Sequence, residues 1–250
     1  MLKIALPKGR IAKETLNAFS QIFGGSFEFE DRKLKLVKDD FEFLMVRNQD
    51  IDTYVMGGAA DLGVVGLDVL EEHGSDVLRL LDLDLGHCKV CVGTIGGEQI
   101  DYNKTSELRV ATSLDNITQK YFSAKAVPVK IIHLYGSVEL APLVNLADCI
   151  VDIVETGDTM RQNGLAPCEE IMKSSAYLIA NKLSFVSKKA EILEIISKVD
   201  DPVSQLLLQM RYIEGKTWEE VAYDLDYNSR TVFKIHGRAL KEIEKIQNGQ

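Results

Sequence analysis

The residues best suited to chemistry in this sequence lie at positions 152–159, where an apolar segment carrying acids opens into a loop of small hydroxyl residues. Such a loop, placed before a helix, presents N–H and O–H donors to a phosphate, and acids at the end of a strand accept hydrogen bonds from ribose hydroxyls. A phosphorylated sugar suits this combination. The pattern is equally typical of a plain strand followed by a threonine N-cap, so the segment alone leaves both interpretations open. The candidate residues are Asp152, Glu155, Thr156, Gly157, Asp158 and Thr159.

The C-x-x-C spacing of Cys88 and Cys91 is not expected to form a metal or redox site. Both residues fall in a predicted strand, where side chains three apart point to opposite faces and cannot share a metal ion. The chain has no second C-x-x-C and only four cysteines and four histidines. Four cysteines are too few for a disulfide scaffold at this length, so we expect free thiols in a reducing compartment.

The composition is typical of a globular protein, because 46% of the 250 residues are hydrophobic and 27% are charged. No apolar run reaches the roughly 20 residues needed to span a bilayer, and Pro7, Lys8 and Arg10 interrupt the first segment before a signal-peptide core could form. We therefore expect a cytoplasmic protein. The net charge of −9 excludes a generally basic nucleic-acid coat, so local positive features must hold any anionic ligand.

Alternating strands and helices are predicted through most of the chain, which favours an α/β fold with a largely parallel sheet. Strand-like segments lie at 2–6, 41–46, 61–68, 88–94, 109–112, 129–134 and 149–154, and helical spacing at 11–19, 51–56, 69–73, 116–124 and 138–146. The later pattern predicts a helix over 169–179, a strand near 178–181 and a charged helix over 188–199. The candidate phosphate loop would then lie at the carboxyl end of a strand.

From residue 200 onward the pattern is purely helical and predicts a separate three-helix module. A capping box at Thr217 and Glu220, a turn at Asp226 and an N-cap at Asn228 indicate a helix-turn-helix. This arrangement is similar to the fourth region of bacterial sigma factors, whose turn usually has glycine where Asp226 stands. Because basic and acidic residues are equal in number from Arg211 onward, both a DNA-reading face and an ordinary bundle that dimerises or docks stay open. The stripe that could contact DNA is Arg230, Lys234, Arg238 and Lys241.

Several segments match one enzyme family in order from residue 1 to about residue 199. They are 6–10 (LPKGR), 46–47 (VR), 59–66 (AADLGVVG), 134–143 (LYGSVELAPL), 150–159 (IVDIVETGDT) and 161–165 (RQNGL). Together they closely resemble ATP phosphoribosyltransferase, the first enzyme of histidine biosynthesis, in its short form.

The resemblance implies a glycosyl transfer in which N1 of the ATP adenine attacks C1 of 5-phosphoribosyl 1-pyrophosphate and releases pyrophosphate. Magnesium (Mg2+) would accompany the pyrophosphate, and no protein side chain is assigned as its ligand. Oxocarbenium character should grow at C1 while negative charge grows on the leaving group. Positioning and electrostatics would therefore carry the catalysis, and no covalent nucleophile is needed.

The resemblance also implies roles for the candidate residues. Residues 156–159 would bind the 5-phosphate, with Asp152 and Glu155 near the ribose hydroxyls. Arg32 and Arg47 are the catalytic candidates, because guanidinium groups match the oxygens of a departing pyrophosphate; the alternative for each is a solvated surface charge. The residues expected to contact ATP or pyrophosphate are Lys8, Gly9, Arg10, Gly136, Ser137 and Glu139.

The implied fold is a two-lobed body resembling type II periplasmic binding proteins. Lobe one would contain residues 1–84 and 169–199, lobe two residues 85–168, and the helical module residues 200–250. Long forms of the family end in a histidine-sensing domain that these helices do not resemble. The resemblance therefore implies a regulatory subunit similar to histidyl-tRNA synthetase, in an oligomer.

Two rival interpretations and four departures accompany this assignment. The first rival is a transcription regulator, whose body senses a nucleotide or phosphosugar while its helices bind DNA; the second is a fusion whose tail only oligomerises. Asp158 puts an acid inside the phosphate loop, where it opposes a phosphate. The departures bear on substrate affinity and turnover rather than on the fold. They are Leu67, Ser113, Gln119 and Asp158.

Overall fold

The computed structural model describes residues 1–30, 32–104 and 106–247. They form two compact units, one of residues 1–181 and one that begins at Lys182. Within the described ranges, no helix is both long and apolar enough to cross a membrane.

The first lobe of the first unit is a sheet of six described strands in the order β2-β3-β1-β4-β11-β5. The central strand β1 is parallel to both of its neighbours, whereas β2 and β11 are antiparallel to theirs. The strands are β1 (Leu2–Pro7), β2 (Lys35–Lys38), β3 (Phe41–Val46), β4 (Leu62–Gly66), β5 (Leu78–Asp82) and β11 (Ala176–Ala180). The helices are α1 (Arg10–Phe23), α2 (Ile51–Met56) and α3 (Leu67–His73).

The second lobe is a sheet of five described strands in the order β10-β6-β9-β7-β8. Strands β7, β8 and β9 are parallel to one another, and β6 is antiparallel to both β9 and β10. The strands are β6 (Cys88–Ile95), β7 (Leu108–Thr112), β8 (Val129–His133), β9 (Cys149–Val154) and β10 (Leu165–Ser174). The helices are α4 (Asp115–Ala124), α5 (Leu140–Leu143) and α6 (Asp158–Gln162).

Each sheet is packed by apolar side chains that recur at the expected period. In lobe one, Ala12 and Leu16, four residues apart on α1, join a core with Ile4 and Phe43. Lobe two has its own core, which includes Phe122 of α4. Each lobe thus has its own buried hydrophobic clusters, two in lobe one and two in lobe two among the described residues, which confirms the α/β, two-lobed architecture expected from the sequence.

Two neighbouring crossings connect the lobes. The chain passes from β5 to β6 and returns from β10 to β11, and the two passages hydrogen-bond to each other. The Leu83 amide donates to the Ala176 carbonyl at 2.9 Å, and the Ala176 amide donates to the Leu85 carbonyl at 2.8 Å. Paired crossings of this kind are the natural place for the lobes to pivot.

The return to lobe one occurs later than predicted, because residues 169–174 form a strand rather than a helix. They belong to β10, which pairs with β6 in lobe two, so the predicted boundary at Glu169 falls inside a strand. Register shifts between Pro167 and Glu169 and between Glu170 and Met172 break the two-residue alternation of a strand. The apolar spacing then imitates that of a helix, which explains the wrong prediction over 169–179.

The second unit consists of the helices α7 (Lys182–Ser197), α8 (Pro202–Tyr212), α9 (Trp218–Asp224) and α10 (Ser229–Gln247). Its boundary also differs from the prediction at residue 200. Ile196 and Val199 are buried in one cluster with Leu208 and Ala239 of the following helices, so α7 groups with the tail. The many charged residues of α7 gave no indication in the sequence that its last turn packs against the following helices.

Smaller differences occur at three elements. Strands β2 and β5 were not predicted, and the helix expected over 138–146 extends only over Leu140–Leu143. Asn145 has a left-handed backbone with φ of 58°, which ends the helical path two residues after α5. The other predicted strands and helices are present, most with bounds shifted by a few residues.

Candidate active site

The predicted phosphate loop lines one cavity of about 310 Å³ at the carboxyl end of β9. Gly157 allows the chain to turn from the strand into α6, because its φ of 76° is left-handed and strains any residue with a Cβ. Glu139 lies on the cavity wall across from this loop. The structure thus brings together seven predicted residues: Glu139, Asp152, Glu155, Thr156, Gly157, Asp158 and Thr159.

Internal hydrogen bonds define the shape of the loop. The Thr156 hydroxyl donates to Asp158 Oδ2 at 2.7 Å, and the Asp158 amide donates to the Thr156 hydroxyl at 3.3 Å. Arg161, which has no predicted role, donates from Nη2 to Asp158 Oδ1 at 2.7 Å and to the Thr156 carbonyl at 3.1 Å. The spacing of three residues between Asp158 and Arg161 on a helix was the sequence signal for this pair.

Asp152 lines the cavity, and its carboxyl has a shifted pKa. Burial, and secondarily the negative charge of Glu139, raise the pKa of the Asp152 carboxyl above its ordinary value. Its Oδ1 accepts a hydrogen bond of 2.8 Å from the Ile153 amide, which partly opposes that shift. A partner that donates hydrogen bonds to the Asp152 carboxylate would oppose this shift, because it favours the ionised form.

Basic residues border the opposite edge of the cleft, on lobe one. Gly9 has φ of 101°, and this backbone turn leads from β1 into α1 between Lys8 and Arg10. Strands β1 and β3 are parallel with Pro7 opposite Val46, so Lys8 and Arg47 follow these strands at the same edge of the sheet. All three basic side chains, Lys8, Arg10 and Arg47, are exposed.

Arg32 lies in the connection between α1 and β2, with an exposed side chain and a left-handed backbone of φ 61°. The segment just after it runs beside the end of β3, because the Met45 amide donates to the Leu34 carbonyl at 2.8 Å. Arg32 therefore belongs to the same end of the sheet as Arg47. Neither arginine lines the loop cavity, and neither do Gly136 and Ser137, which precede Glu139 in the turn after β8.

One ion pair spans the cleft between the two sets of residues. Arg10 Nη2 lies 2.7 Å from Glu155 Oε1, so the basic edge of lobe one meets the phosphate loop of lobe two.

Comparisons with known proteins show the family of this chain. The family model for ATP phosphoribosyltransferase matches residues 47–201. The ATP phosphoribosyltransferase of Campylobacter fetus subsp. fetus is 64% identical over 204 residues, which are 82% of this chain and 100% of that protein. The chain belongs to the ATP phosphoribosyltransferase family. The enzyme of Helicobacter hepaticus is 55% identical over 80% of this chain and 97% of its own length.

A solved structure of the same family matches most of this chain. It is the ATP phosphoribosyl transferase (HisG:HisZ) complex from Thermotoga maritima, 34% identical, with a TM-score of 0.66, covering 79% of this chain and 96% of its own. Tv2483 bound to L-arginine, 14% identical with a TM-score of 0.50 over 85% of this chain and 90% of its own, shares the fold alone. Family membership makes this chain a pentosyltransferase.

Proposed function

We propose that this chain transfers the phosphoribosyl group of 5-phosphoribosyl 1-pyrophosphate to N1 of ATP and releases pyrophosphate, the first step of histidine biosynthesis. The observation that carries the proposal is the cavity of about 310 Å³, which joins Glu139 to residues 152–160 in a chain of this family. The need for ATP supports the cytoplasmic location expected from the sequence.

The phosphate loop supplies the groups that a phosphorylated ribose needs. Backbone N–H groups after Gly157 and the hydroxyls of Thr156 and Thr159 can donate to the 5-phosphate. Asp152 and Glu155 precede the loop, where carboxylates accept from the ribose 2- and 3-hydroxyls. A ribose that donates to Asp152 would also stabilise its ionised form, which burial disfavours.

The basic edge of lobe one suits the leaving group. Charge grows on pyrophosphate as its bond to C1 breaks, and Lys8, Arg10, Arg32 and Arg47 provide cations at one end of the sheet. The Arg10–Glu155 pair would hold that edge against the ribose site, so that the pyrophosphate and the sugar lie on facing walls. Gly136 and Ser137, near Glu139, would border the ATP base.

Magnesium is expected as part of the substrate rather than as a resident ion. In the described ranges, no group of three or more His, Cys, Asp or Glu side chains is arranged to hold a metal ion. The carboxylates of Glu139 and Asp152 nevertheless offer the oxygen donors that Mg2+ prefers, beside the place proposed for the ribose. Bound to pyrophosphate, magnesium would neutralise part of its charge.

A regulatory subunit is part of the proposal. The Thermotoga maritima relative is described as a HisG:HisZ complex, and it covers 79% of this chain. We infer that this chain likewise assembles with a HisZ-type subunit resembling histidyl-tRNA synthetase, in an oligomer.

Turnover of ATP and phosphoribosyl pyrophosphate with magnesium, with and without a HisZ-type subunit, tests the proposed reaction. We expect phosphoribosyl-ATP to form, and its absence in both conditions would refute the activity.

Single-turnover rates of Arg32→Ala and Arg47→Ala test the catalytic assignment. Both variants should slow the chemical step more than they weaken ATP binding. If both variants react at the wild-type rate with saturating substrates, the catalytic assignment is wrong and these arginines are surface charges.

A second candidate function, DNA binding, is supported by the face that α10 exposes. Arg230, Lys234, Arg238 and Lys241 are all exposed, whereas the core of this unit holds Val232 and Ala239 from the opposite face of the helix. The turn before α10 has Asp226 in a left-handed conformation, φ 54°, where helix-turn-helix proteins usually have glycine.

Helix caps hold α9 and α10 at this turn. Thr217 and Glu220 form the capping box predicted from the sequence, and Asn228 Oδ1 accepts from the Thr231 amide at 2.9 Å. Arg238 is committed elsewhere, because its Nη2 lies 2.7 Å from Asp201 Oδ2 at the start of α8. The DNA contact is therefore assigned chiefly to Arg230, Lys234 and Lys241, and Arg238 keeps the helices together.

The matched experiment compares two triple variants of the intact chain. Replacing Arg230, Lys234 and Lys241 with glutamine should abolish binding to duplex DNA at low salt and leave phosphoribosyl transfer unchanged. Each lost phosphate contact should flatten the slope of log affinity against log salt by about 0.9. A control with glutamine at Lys188, Lys189 and Lys198 of the same unit should bind like wild type. No DNA binding by the intact chain would remove this function and favour a helical unit that only assembles subunits.

A further inference from the structure

The negative charge of Asp158 lies inside the proposed phosphate loop and must be neutralised there if the loop is to bind a phosphate. Asp158 stands among residues 156–159, where the proposed ligand carries a phosphate, and a carboxylate there repels an anion. Its two oxygens are both engaged: Oδ2 accepts from the Thr156 hydroxyl at 2.7 Å and Oδ1 accepts from Arg161 at 2.7 Å. The negative charge is therefore held by a cation within the same turn of chain.

Arg161 is well placed to act on more than this one carboxylate. Its Nη2 also donates to the Thr156 carbonyl at 3.1 Å, so one nitrogen clamps the first and third residues of the loop. Both side-chain bonds leave from Nη2, which leaves the donors on Nε and Nη1 for an oxyanion.

Arg161 lines a different cavity from Asp152 and Glu139. A second cavity, of about 520 Å³, shares Val154, Glu155, Thr156 and Gly157 with the first and is also lined by Arg161. Glu139 and Asp152 line only the first cavity. Arg161 therefore holds the Asp158 carboxylate while lining a cavity that Asp152 and Glu139 do not line.

We propose that Arg161 is a positioning residue of the phosphoribosyl pyrophosphate site, which neutralises Asp158 and fixes the Thr156 carbonyl so that the loop can accept a phosphate. This inference rests on the proposed function. It explains how a chain with an acid in its phosphate loop can still bind a phosphorylated sugar.

The Arg161–Asp158 ion pair should contribute little to the stability of the fold. The side chains of Arg161 and Asp158 are 67% and 61% exposed, and exposed ion pairs contribute little to the free energy of folding. Their effect should therefore appear in substrate affinity rather than in the unfolding temperature.

A set of three variants separates charge compensation from a merely structural clamp, with the dissociation constant for phosphoribosyl pyrophosphate as readout. Arg161→Gln should weaken binding about tenfold, because it leaves the Asp158 charge uncompensated beside the phosphate. Asp158→Asn should bind more tightly than wild type, because it removes the acid that opposes the phosphate and leaves the charge of Arg161 in place. The double variant should recover to within about threefold of Asp158→Asn, since the charge that Arg161 opposes is gone.

Two results would overturn the inference: unchanged affinity in Arg161→Gln, or a double variant as weak as Arg161→Gln alone. Arg109→Gln is the matched control, because Arg109 also pairs with an aspartate, Asp148, at 2.6 Å in lobe two but does not line either loop cavity. It should bind like wild type. If wild type itself binds no phosphoribosyl pyrophosphate, the proposed function fails; if wild type binds and Arg161→Gln does also, only the role of Arg161 fails.

Discussion

Arg10 of lobe one and Glu155 of lobe two meet across the cleft, with Nη2 and Oε1 2.7 Å apart. Arg10 begins the helix after β1, and Glu155 follows β9, so the pair connects the ends of two strands that belong to different sheets. The side chains are 59% and 54% exposed, which means that the pair adds little to stability. Its consequence is geometric: it sets how closely a cation of lobe one approaches the ribose site.

Replacing Arg10 with glutamine should therefore damage catalysis and spare the fold. We expect kcat/KM to fall at least about tenfold, because a guanidinium that faces phosphate oxygens is lost. The unfolding temperature should change by no more than about 3 °C, since an exposed pair is removed. Steady-state kinetics and thermal denaturation measure both effects. Lys13→Gln, an exposed cation on the same helix, is the control, and equal effects of the two variants would contradict a specific role for Arg10.

The phosphate loop is tested by Thr159→Ala and Gly157→Ala. The first removes a hydroxyl donor and should weaken phosphoribosyl pyrophosphate binding about tenfold without unfolding the chain. The second places a Cβ on a backbone with φ of 76°, where its closest new contact is Val154 Cγ1 at an ordinary 3.7 Å. Its cost to stability should thus come from backbone strain, about 1 kcal/mol.

Gly74→Ala controls for that strain, because Gly74 has φ of 61°, open space around it and a place in lobe one. It should destabilise the chain similarly and leave the dissociation constant for phosphoribosyl pyrophosphate unchanged. Calorimetric titration and circular dichroism, made on the same samples, decide the matter. Wild-type affinity in folded Thr159→Ala and Gly157→Ala would show that this loop is not the phosphate site.

The raised pKa of Asp152 predicts a pH dependence. Because burial and then Glu139 disfavour its ionised form, the carboxyl keeps its proton to a higher pH than an ordinary aspartate. If the ionised group binds the ribose, kcat/KM should fall as the pH drops through this raised pKa. Glu139→Gln should move that limb of the pH profile to lower pH. A limb that persists unchanged in Asp152→Asn would belong to another group.

The same shift has a defined sign for stability. In the window between the unfolded pKa and the higher folded pKa, the folded chain binds more protons than the unfolded chain. Stability due to Asp152 is therefore highest below this window and falls as the pH rises through it. Asp152→Asn should remove that component of the pH dependence of the unfolding free energy, as measured by urea denaturation at several pH values.

Short-range patterns account for what the sequence predicted correctly. Strand β3 and helix α2 have the predicted bounds because their residues alternate or recur at helical spacing, and the residues of the phosphate loop are consecutive. The contacts that join distant parts of the chain were not predictable in this way. Arg10 and Glu155 are far apart in sequence, and the bulges of β10 disguise a strand as a helix.

Glu72 provides a second link between the lobes that no sequence spacing indicates. Its two carboxylate oxygens accept from the amides of Asn116 and Ile117, each at 3.0 Å, and its carbonyl accepts from Asn116 Nδ2 at 2.8 Å. A side chain of lobe one thus caps the first turn of α4 in lobe two, where its charge also favours the helix dipole.

Glu72→Ala should lower the free energy of unfolding by about 1 to 2 kcal/mol, and Glu72→Gln by less, since the amide keeps an acceptor. Hydrogen exchange should quicken at the amides of Asn116 and Ile117. Glu107→Ala, which removes an exposed acid of lobe two, is the comparison. Unchanged exchange in Glu72→Ala would mean that the cap contributes nothing to α4.

Truncation after Val199 tests how the helical unit relates to catalysis. The Campylobacter fetus relative is matched over its full length by 204 residues of this chain, and the family model ends at residue 201, so residues 1–199 should retain nearly all that a family member contains. We expect the truncated chain to transfer phosphoribosyl groups with its regulatory subunit and to lose any DNA binding. Loss of transfer with retained circular dichroism would instead make residues 200–247 part of the catalytic machinery.

Truncation after Val199 should also destabilise the end of α7, which the sequence did not suggest. Ile196 and Val199 are 2% and 1% exposed because Leu208 and Ala239 cover them, and removing α8 to α10 uncovers both side chains. Burying such a side chain contributes about 1.5 to 3 kcal/mol, so the end of α7 should become less stable. Hydrogen exchange over 192–199 should quicken markedly while exchange in β1, β4 and β9 stays slow. The two uncovered apolar side chains should also lower the solubility of the truncated chain. Replacing Ile196 and Val199 with serine in that chain should raise its solubility without changing kcat, because these residues pack in the helical unit and not in the cleft.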